Sequence, residues 1–325
     1  MKSLLHHCFY IFALMVTMPG ISNAQPDWPI KPLRIIVPVP PGSFTDIAAR
    51  ALAGEMSLQL GQQVIVENKA GAGTTIGADL VAKSAPDGYT LFFTENSFTI
   101  SPALYPKLPY DSIKDFSPVT IVAEAPTILW ARTDLPAKTV KQLVELANST
   151  PKLLSYASGG QGTSSHLAGE LFFDVAKIKV VHIPFRGVAA SMNEVVARNV
   201  DFGTSSVASP MGLIKAARLM PIAISGKERM AQLPDVPTFA ESGYPQYEAQ
   251  IWFGALVAHG TPTHLVNRLR QEFISALNKP KTREAFATQG ATIMTDVTPQ
   301  AFAARIEAEV ARWRDLISRK GITVQ

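Results

Sequence analysis

Cysteine is almost absent from this chain of 325 residues, which carries Cys8 alone. Cys8 lies in segment 1–24, where Lys2 precedes an apolar stretch over 8–16 and small residues occupy 22 and 24. This order is typical of a secretory signal peptide that a signal peptidase removes. We therefore predict a signal peptide over 1–24 and a mature protein in the periplasm. A mature chain without cysteine excludes disulfides and thiol catalysis.

A long hydrophobic run and a strong charge are also missing. The apolar stretch 8–16 is much shorter than the roughly 20 residues of a membrane-spanning helix. The chain has 30 Lys and Arg against 26 Asp and Glu, and no basic run is interleaved with aromatic residues. We therefore expect no nucleic-acid partner. The small positive excess is compatible with acidic small molecules.

Common catalytic motifs are absent as well. The chain has no Gly-x-Ser-x-Gly elbow, and His166, His182, His259 and His264 lack the spacing of metal ligands. The glycine-rich segment 71–77 fits neither the dinucleotide fingerprint nor a P-loop. We expect no metal, no cofactor and no enzymatic activity. A secreted α/β hydrolase is the alternative, and a scaffold that uses a binding fold without a solute is a third class.

What the chain does contain is an alternation of strand-like and helix-like segments. The first part has strand-like runs at 33–39, 63–67 and 89–94, separated by helix-like segments at 45–60 and 74–83. Such alternation predicts βαβ units around a mainly parallel sheet. The same alternation resumes over 139–225, so we predict a second α/β unit.

Two long β-prone runs connect these units. Run 119–132 is interrupted by Pro126, and run 250–258 leads back to segments that read as helices. Thr261-Pro262 and Thr298-Pro299 each offer a Thr cap followed by Pro at the first helical position. We therefore predict two lobes joined by a two-strand hinge. Lobe 1 is expected over 25–124 and 251–325, and lobe 2 over 125–250.

Two glycine-containing turns each lead from a strand into a helix, at 40–46 and at 159–166. The first amides of a helix have no intrahelical partner, and the helix dipole places positive charge there, so a carboxylate or phosphate is favoured. Such turns also occur for purely structural reasons, because the chain must reverse tightly. Two of them on one chain favour a single anion gripped from both sides.

Many ordered motifs of this chain resemble the Bug family, the periplasmic solute-binding proteins of tripartite tricarboxylate transporters. The resemblance covers essentially the whole mature chain. The motifs that carry it are Pro40-Pro41-Gly42 with Asp46 and Arg50, Glu67-Asn68-Lys69-x-Gly71-Ala72-Gly73, Pro86-Asp87-Gly88-Tyr89-Thr90-Leu91, Asp115-Phe116-x-Pro118-Val119 and Leu233-Pro234-Asp235-Val236-Pro237-Thr238.

The resemblance implies a two-lobed periplasmic-binding-protein type II fold, each lobe a mainly parallel sheet flanked by helices. It also implies a function: capture of a small carboxylate and its delivery to the subunits of a membrane permease. The ligand is expected to be a di- or tricarboxylate, an acidic amino acid or an aromatic acid. We expect the protein to be a monomer.

The ligand loops of the family fall on the same two turns. Phe44 either stacks on an aromatic ligand or packs in the core, and Asp46 is interpreted chiefly as a group that accepts N–H bonds at the helix start. His166 is expected to brace its turn, and Thr163 and Ser164 to donate hydroxyls to the ligand. The predicted ligand-binding residues are Phe44, Thr45, Asp46, Asn96, Ser97, Gly160, Gly162, Thr163, Ser164, His166, Ser205 and Ser206.

Overall fold

The computed structural model describes residues 28–105, 107–149 and 153–323. The predicted signal peptide over 1–24 lies outside the described residues. The strands are β1 (Leu33–Val37), β2 (Val64–Asn68), β3 (Thr90–Glu95), β4 (Phe116–Ala131), β5 (Ser155–Ser158), β6 (Val181–Pro184), β7 (Phe202–Ser206), β8 (Met220–Ile224), β9 (Gln250–Ala258) and β10 (Thr292–Ile293).

The helices surround these strands, and a 3₁₀ turn at Ala72–Thr74 precedes the second of them. They are α1 (Phe44–Leu60), α2 (Thr75–Ala82), α3 (Ser97–Leu104), α4 (Val140–Ser149), α5 (Ser164–Ala176), α6 (Val188–Val196), α7 (Met211–Lys215), α8 (Thr263–Leu277), α9 (Pro280–Thr288) and α10 (Pro299–Lys320).

The strands pair in the order β2-β1-β3-β9-β4-β7-β5-β6, with β8 and β10 also paired to β4. Strands β2, β1, β3 and β9 form the sheet of lobe 1, and strands β7, β5, β6 and β8 form the sheet of lobe 2. The outer pairs are parallel, as expected for βαβ units: β1 with β2 and β3, and β5 with β6 and β7. The pairs nearest the crossing are antiparallel, so each sheet is mixed.

Strand β4 connects the two sheets. Its first half pairs with β9 and β10, and its second half pairs with β7 and β8. Strand β9 starts beside the same point, because Gln250 pairs with Pro126 and Ile251 with Ala125. The two-lobed fold thus has two adjacent strands at its crossing.

Each lobe has its own apolar core. In lobe 1, side chains of β1, β3 and β9 pack against α1 and α8, and Phe93, Phe253 and Phe273 are nearly inaccessible. In lobe 2, Trp130 and Phe202 are completely buried. Burial on both faces explains why these strands read as continuous apolar runs in the sequence.

Helix α10 does not stay within one lobe. Its first half contributes Phe302, Ile306 and Val310 to the core of lobe 1. Its second half contributes Trp313, Leu316 and Ile317 to a cluster that joins Ile100 and Leu104 of α3 with Leu167 of α5. The last helix therefore contacts both lobes, which the sequence did not predict.

The two predicted Thr-Pro helix starts differ. At α10 the Thr298 hydroxyl accepts a hydrogen bond from the Ala301 amide at 3.1 Å, and Pro299 is the first helical residue, as predicted. At α8 the prediction was wrong: Pro262 is the N-cap and the helix begins at Thr263. The hydroxyl of Thr261 donates instead to the Ala258 carbonyl at 2.7 Å.

Candidate ligand site between the lobes

The first predicted turn leads from β1 into α1. Gly42 has a φ of 83°, which favours glycine. The Ser43 hydroxyl caps α1 by accepting from the Asp46 amide at 3.3 Å. The amides of Phe44 and Thr45 find no acceptor among the described residues. The start of α1 thus presents free N–H groups, as the sequence suggested.

Thr45 is the polar side chain nearest to these amides. The residue is only 4 % exposed, and its hydroxyl makes no hydrogen bond within the described part of the chain. This oxygen is not among the fully enclosed side-chain atoms that lack a partner, so it keeps some contact with solvent. An accessible hydroxyl beside two free amides is therefore a candidate contact for a ligand oxygen.

Asp46 accepts N–H bonds, which agrees with its interpretation as a group at the helix start. Its carboxylate receives the Gly42 amide at 3.0 Å, Nε of Arg50 at 3.0 Å and Nδ2 of Asn68 at 2.9 Å. Burial by itself would raise the pKa of Asp46, but these hydrogen bonds and the charge of Arg50 hold it below its ordinary value. The charged carboxylate braces the turn.

Phe44 packs in the core of lobe 1. Its ring contacts Phe253 edge-on with 4.6 Å between centroids, and Phe286 with 5.5 Å between centroids. Only 5 % of the residue is exposed. Of the two interpretations of Phe44, the structure supports core packing over stacking on an aromatic ligand.

The second turn, before α5, depends on its glycines. Gly160 has a φ of 132°, and a Cβ there would lie 3.2 Å from the Phe185 carbonyl oxygen. Gly162 has a φ of 78°, and a Cβ there would lie 2.8 Å from Cδ1 of Leu104 in lobe 1. Positive φ and close neighbours both require glycine. The turn is therefore fitted closely against its surroundings.

The hydroxyl of Thr163 is engaged inside this turn, and its role as a donor to the ligand stays a prediction. It donates to the Gly160 carbonyl at 2.7 Å and caps α5 by accepting from the His166 amide at 3.4 Å. The Ser164 amide donates to Oγ of Ser97 at 3.0 Å, a bond between the lobes. The amides of Gln161 and Ser165 find no acceptor among the described residues.

His166 braces the turn. Its Nδ1 accepts from the Gly162 amide at 3.2 Å, and its ring stacks on His182 with 4.0 Å between centroids and 11° between planes. Burial lowers the pKa of His166 to about 3, with a smaller contribution from His182, and burial lowers the pKa of His182 to about 4. Both rings are therefore neutral near pH 7. A neutral, stacked pair suits a bracing role better than contact with an anion.

The remaining predicted residues have polar groups that are engaged by the protein itself. Asn96 accepts from the Trp252 amide at 2.8 Å and donates to the Gln250 carbonyl at 3.2 Å. Ser205 accepts from Nε1 of Trp130 at 3.0 Å, and Oγ of Ser206 lies 3.4 Å from Oγ of Ser209. Asn96 thus ties α3 to a crossing strand, and Ser205 and Ser206 face lobe 2 partners.

The two turns are linked through the segment before α6. The Gly187 amide donates to the Gly159 carbonyl at 3.0 Å, and a Cβ on Gly187 would lie 3.9 Å from Cγ of Pro40. Pro40 belongs to the first turn and Gly159 to the second. Both turns therefore border the same region between the lobes.

One buried carboxylate, Glu95, and one partly buried carboxylate, Glu309, lie near this region and were missed from sequence. Glu95, the last residue of β3, accepts the amide and the hydroxyl of Ser97. Burial raises the pKa of Glu95, while bonds from Ser97 and the Ser164 hydroxyl oppose the rise. Glu309 of α10 accepts from Nε1 of Trp252 and Oγ1 of Thr99, both at 2.9 Å. The available signal was an acidic residue ending a buried strand.

Three further features of the described residues concern a cavity, metal binding and membrane crossing. A cavity of about 480 Å³ beside the crossing strands is lined by none of the predicted ligand-binding residues; Glu124, Pro126 and Gln250 are among its walls. Across 28–105, 107–149 and 153–323, no group of three or more His, Cys, Asp or Glu could hold a metal ion. In the same ranges, no helix is both long and apolar enough to cross a bilayer.

A two-lobed α/β fold with helix starts facing the interlobe region defines a periplasmic-binding-protein architecture. Residues 48–322 match the model of the tripartite tricarboxylate transporter family receptors, TctC. The chain belongs to this family, within the group of Bug proteins. Its members are solute-binding receptors rather than enzymes, so the hydrolase alternative is set aside.

Individual relatives agree with this assignment. The protein BugT of Bordetella pertussis is 33 % identical over 315 residues, which cover 96 % of both chains. The structure of the periplasmic binding protein BugD aligns with a TM-score of 0.85 at 33 % identity, covering 92 % of this chain and 100 % of that one. MatC from Rhodopseudomonas palustris, solved with bound malate, aligns with a TM-score of 0.83 at 30 % identity, covering 89 % and 99 %.

Proposed function

We propose that this chain captures a small carboxylate between its lobes in the periplasm and delivers it to a tripartite tricarboxylate-type permease. The observation that carries the proposal is the start of α1, with free amides at Phe44 and Thr45 and a Thr45 hydroxyl that makes no hydrogen bond within the described residues. A carboxylate oxygen would accept all three, and hydrogen bonds to charged groups are worth about 1.5–3 kcal/mol each.

The second turn supplies the opposite wall of the proposed site. The free amides of Gln161 and Ser165 lie at the start of α5, where the helix dipole favours negative charge. In this proposal Gly160, Gly162 and His166 shape the turn, and the Thr163 hydroxyl is engaged within it. A ligand with two carboxylates would contact both helix starts at once, and only the closed lobes offer both.

A dicarboxylate is the first ligand class to test. MatC, a relative of similar fold, was solved with malate. The burial of Phe44 removes the stacking argument for aromatic acids. Tricarboxylates, acidic amino acids and aromatic acids are the other ligand classes to test. Cleavage of a signal peptide over 1–24, lobe boundaries at 124/125 and 250/251, and a monomeric state are parts of the same proposal.

Calorimetry tests the proposal directly. The protein is unfolded, dialysed and refolded to remove co-purified solute, then titrated with malate, citrate, glutamate and benzoate. We expect saturable one-to-one binding of at least one acid and a rise in melting temperature. The diamide of malic acid is the matched control, because it keeps the shape without the charge. Absence of binding by all four acids would refute the proposal.

A further inference from the structure

A chain of three hydrogen bonds joins the lobes at the start of α5. The Ser164 amide of lobe 2 donates to Oγ of Ser97 at 3.0 Å. The Ser97 hydroxyl donates to Oε1 of Glu95, and the Ser97 amide donates to Oε2 of the same carboxylate at 3.1 Å. We call Glu95, Ser97 and Ser164 the interlobe junction.

The direction of these bonds follows from the number of protons. A serine hydroxyl has a single proton and two lone pairs. Because Glu95 takes the proton of Ser97, the Ser97 oxygen can only accept on its other side, and the Ser164 amide is the donor there. Successive hydrogen bonds also polarise one another, which increases the negative charge on the Ser97 oxygen. That charge lies at the positive end of α5.

The lobe 1 side of the junction is shielded from water. Ser97 is completely buried and Glu95 is 6 % exposed, whereas Ser164 is half-buried. A Ser97 oxygen deprived of the Ser164 amide loses a hydrogen bond without gaining one from solvent. Rupture of the Ser97–Ser164 bond is therefore unfavourable unless water enters as the lobes separate.

Apolar contacts surround the junction and join the same elements. Ile100 and Leu104 of α3 pack with Leu167 of α5 and with Trp313 of α10. Leu104 also leaves room only for glycine at position 162. At the rim, Arg319 of α10 pairs with Asp174 of α5 at 2.9 Å. The start of α5 is thus in contact with lobe 1 although its own strand neighbours belong to lobe 2.

We propose that Glu95 is a positioning residue which, acting through Ser97 and on the Ser164 hydroxyl, holds the first turn of α5 against lobe 1 and favours closed lobes in the absence of ligand. The consequence for the ligand rests on the proposed function: the Ser164 amide is already satisfied, so the ligand is left with the neighbouring amides of the turn. The effect on lobe closure itself does not depend on any ligand.

Distances between the lobes test the junction without a ligand. Spin labels are placed at Leu58→Cys in lobe 1, which is 80 % exposed, and at Lys141→Cys in lobe 2, whose side chain is 84 % exposed. Replacement of Cys8 makes the two labels unique. We expect Ser97→Ala to reduce the ratio of closed to open molecules by about two- to tenfold, the range for one lost interlobe hydrogen bond.

Glu95→Gln keeps the size of the side chain and provides a second variant. In one orientation of the new side-chain amide the Ser97 N–H loses its acceptor, and in the other the Ser97 hydroxyl proton does. The Ser164–Ser97 bond remains in both but loses the polarising carboxylate, so we expect a shift toward longer distances that is smaller than for Ser97→Ala. If Glu95→Gln fails to fold, Ser97→Ala alone decides.

Ser101→Ala is the matched control. Ser101 lies one turn further along α3, is also completely buried, and donates to the carbonyls of Gly73 and Ser97, both in lobe 1. Its loss should lower the melting temperature without changing the distances. Unchanged distances in Ser97→Ala and Glu95→Gln, or equal opening in Ser101→Ala, would overturn the proposal. Failure to bind any carboxylate would instead refute only the proposed function.

Discussion

The two helix starts that face the interlobe region have similar sequences but different local chemistry. At α1 the amides of Phe44 and Thr45 and the Thr45 hydroxyl remain without partners among the described residues. At α5 the Thr163 hydroxyl donates to the Gly160 carbonyl of its own turn, and the Ser164 amide donates to Oγ of Ser97. A glycine-rich turn before a helix therefore does not by itself indicate how much of its binding capacity is free.

The tightness of the two turns can be compared through their glycines. Gly42 and Gly162 have similar φ values of 83° and 78°, but only Gly162 has a close neighbour, Leu104. We expect Gly42→Ala to lower the free energy of unfolding by about 1–2 kcal/mol, the cost of a left-handed residue. Gly162→Ala adds the contact with Leu104 and should cost about 1–3 kcal/mol more. Urea unfolding measures both, and equal losses would contradict a closely fitted second turn.

The second comparison concerns pH, because only the α5 turn contains buried histidine. The pKa of His166 is lowered to about 3 in the folded protein, so the unfolded state binds the extra proton as pH falls below its ordinary value. The stability contributed by the neutral ring is therefore complete above about pH 6.5 and decreases as pH falls toward 3, with a slope of up to about 1.4 kcal/mol per pH unit.

His166→Gln should flatten this slope between pH 6.5 and 5 in urea titrations. His264 is exposed at the start of α8, and His264→Gln serves as the control for the substitution itself at a position outside the turn. An equal slope in wild type and His166→Gln would show that the bracing histidine is not held neutral by its burial.

The third comparison concerns the two threonines. We expect Thr45→Val to weaken carboxylate binding by about 1.5–3 kcal/mol, because it removes one free hydroxyl that faces a charged ligand and preserves the shape. Thr163→Val removes a helix cap and should lower the free energy of unfolding by about 1 kcal/mol. Calorimetry and urea unfolding on both variants separate the effects. An effect of Thr163→Val on affinity as large as that of Thr45→Val would break the contrast between the turns.

Local patterns predicted most of the fold. The βαβ alternation, the crossing through the run that contains Pro126 and the Thr298 cap all depend on neighbouring residues and are confirmed. Helix α3 was not predicted, because Pro102 lies inside it and proline normally disfavours a helix interior. The prediction of an N-cap at Thr261 was wrong, because the Thr261 hydroxyl donates to the Ala258 carbonyl instead.

The candidate site was harder to predict, because its decisive contacts connect distant parts of the chain. The free amides at Phe44 and Thr45 follow from a local rule about helix starts. The Ser164 amide is unavailable to a ligand because it donates to Ser97. This bond depends on the arrangement of the two lobes and on Glu95, and no spacing in the sequence encodes it. The core packing of Phe44 likewise depends on Phe253, far along the chain.

The position of β9 between β3 and β4 has a consequence for biosynthesis. A ribosome synthesises β1, β2 and β3 long before β9. The edge of β3 that pairs with β9 therefore stays unpaired until the whole of lobe 2 has been synthesised. Contacts this far apart in sequence slow folding, and uncovered edges invite association with other chains. The edge of β3 is therefore open to association with other chains until β9 arrives.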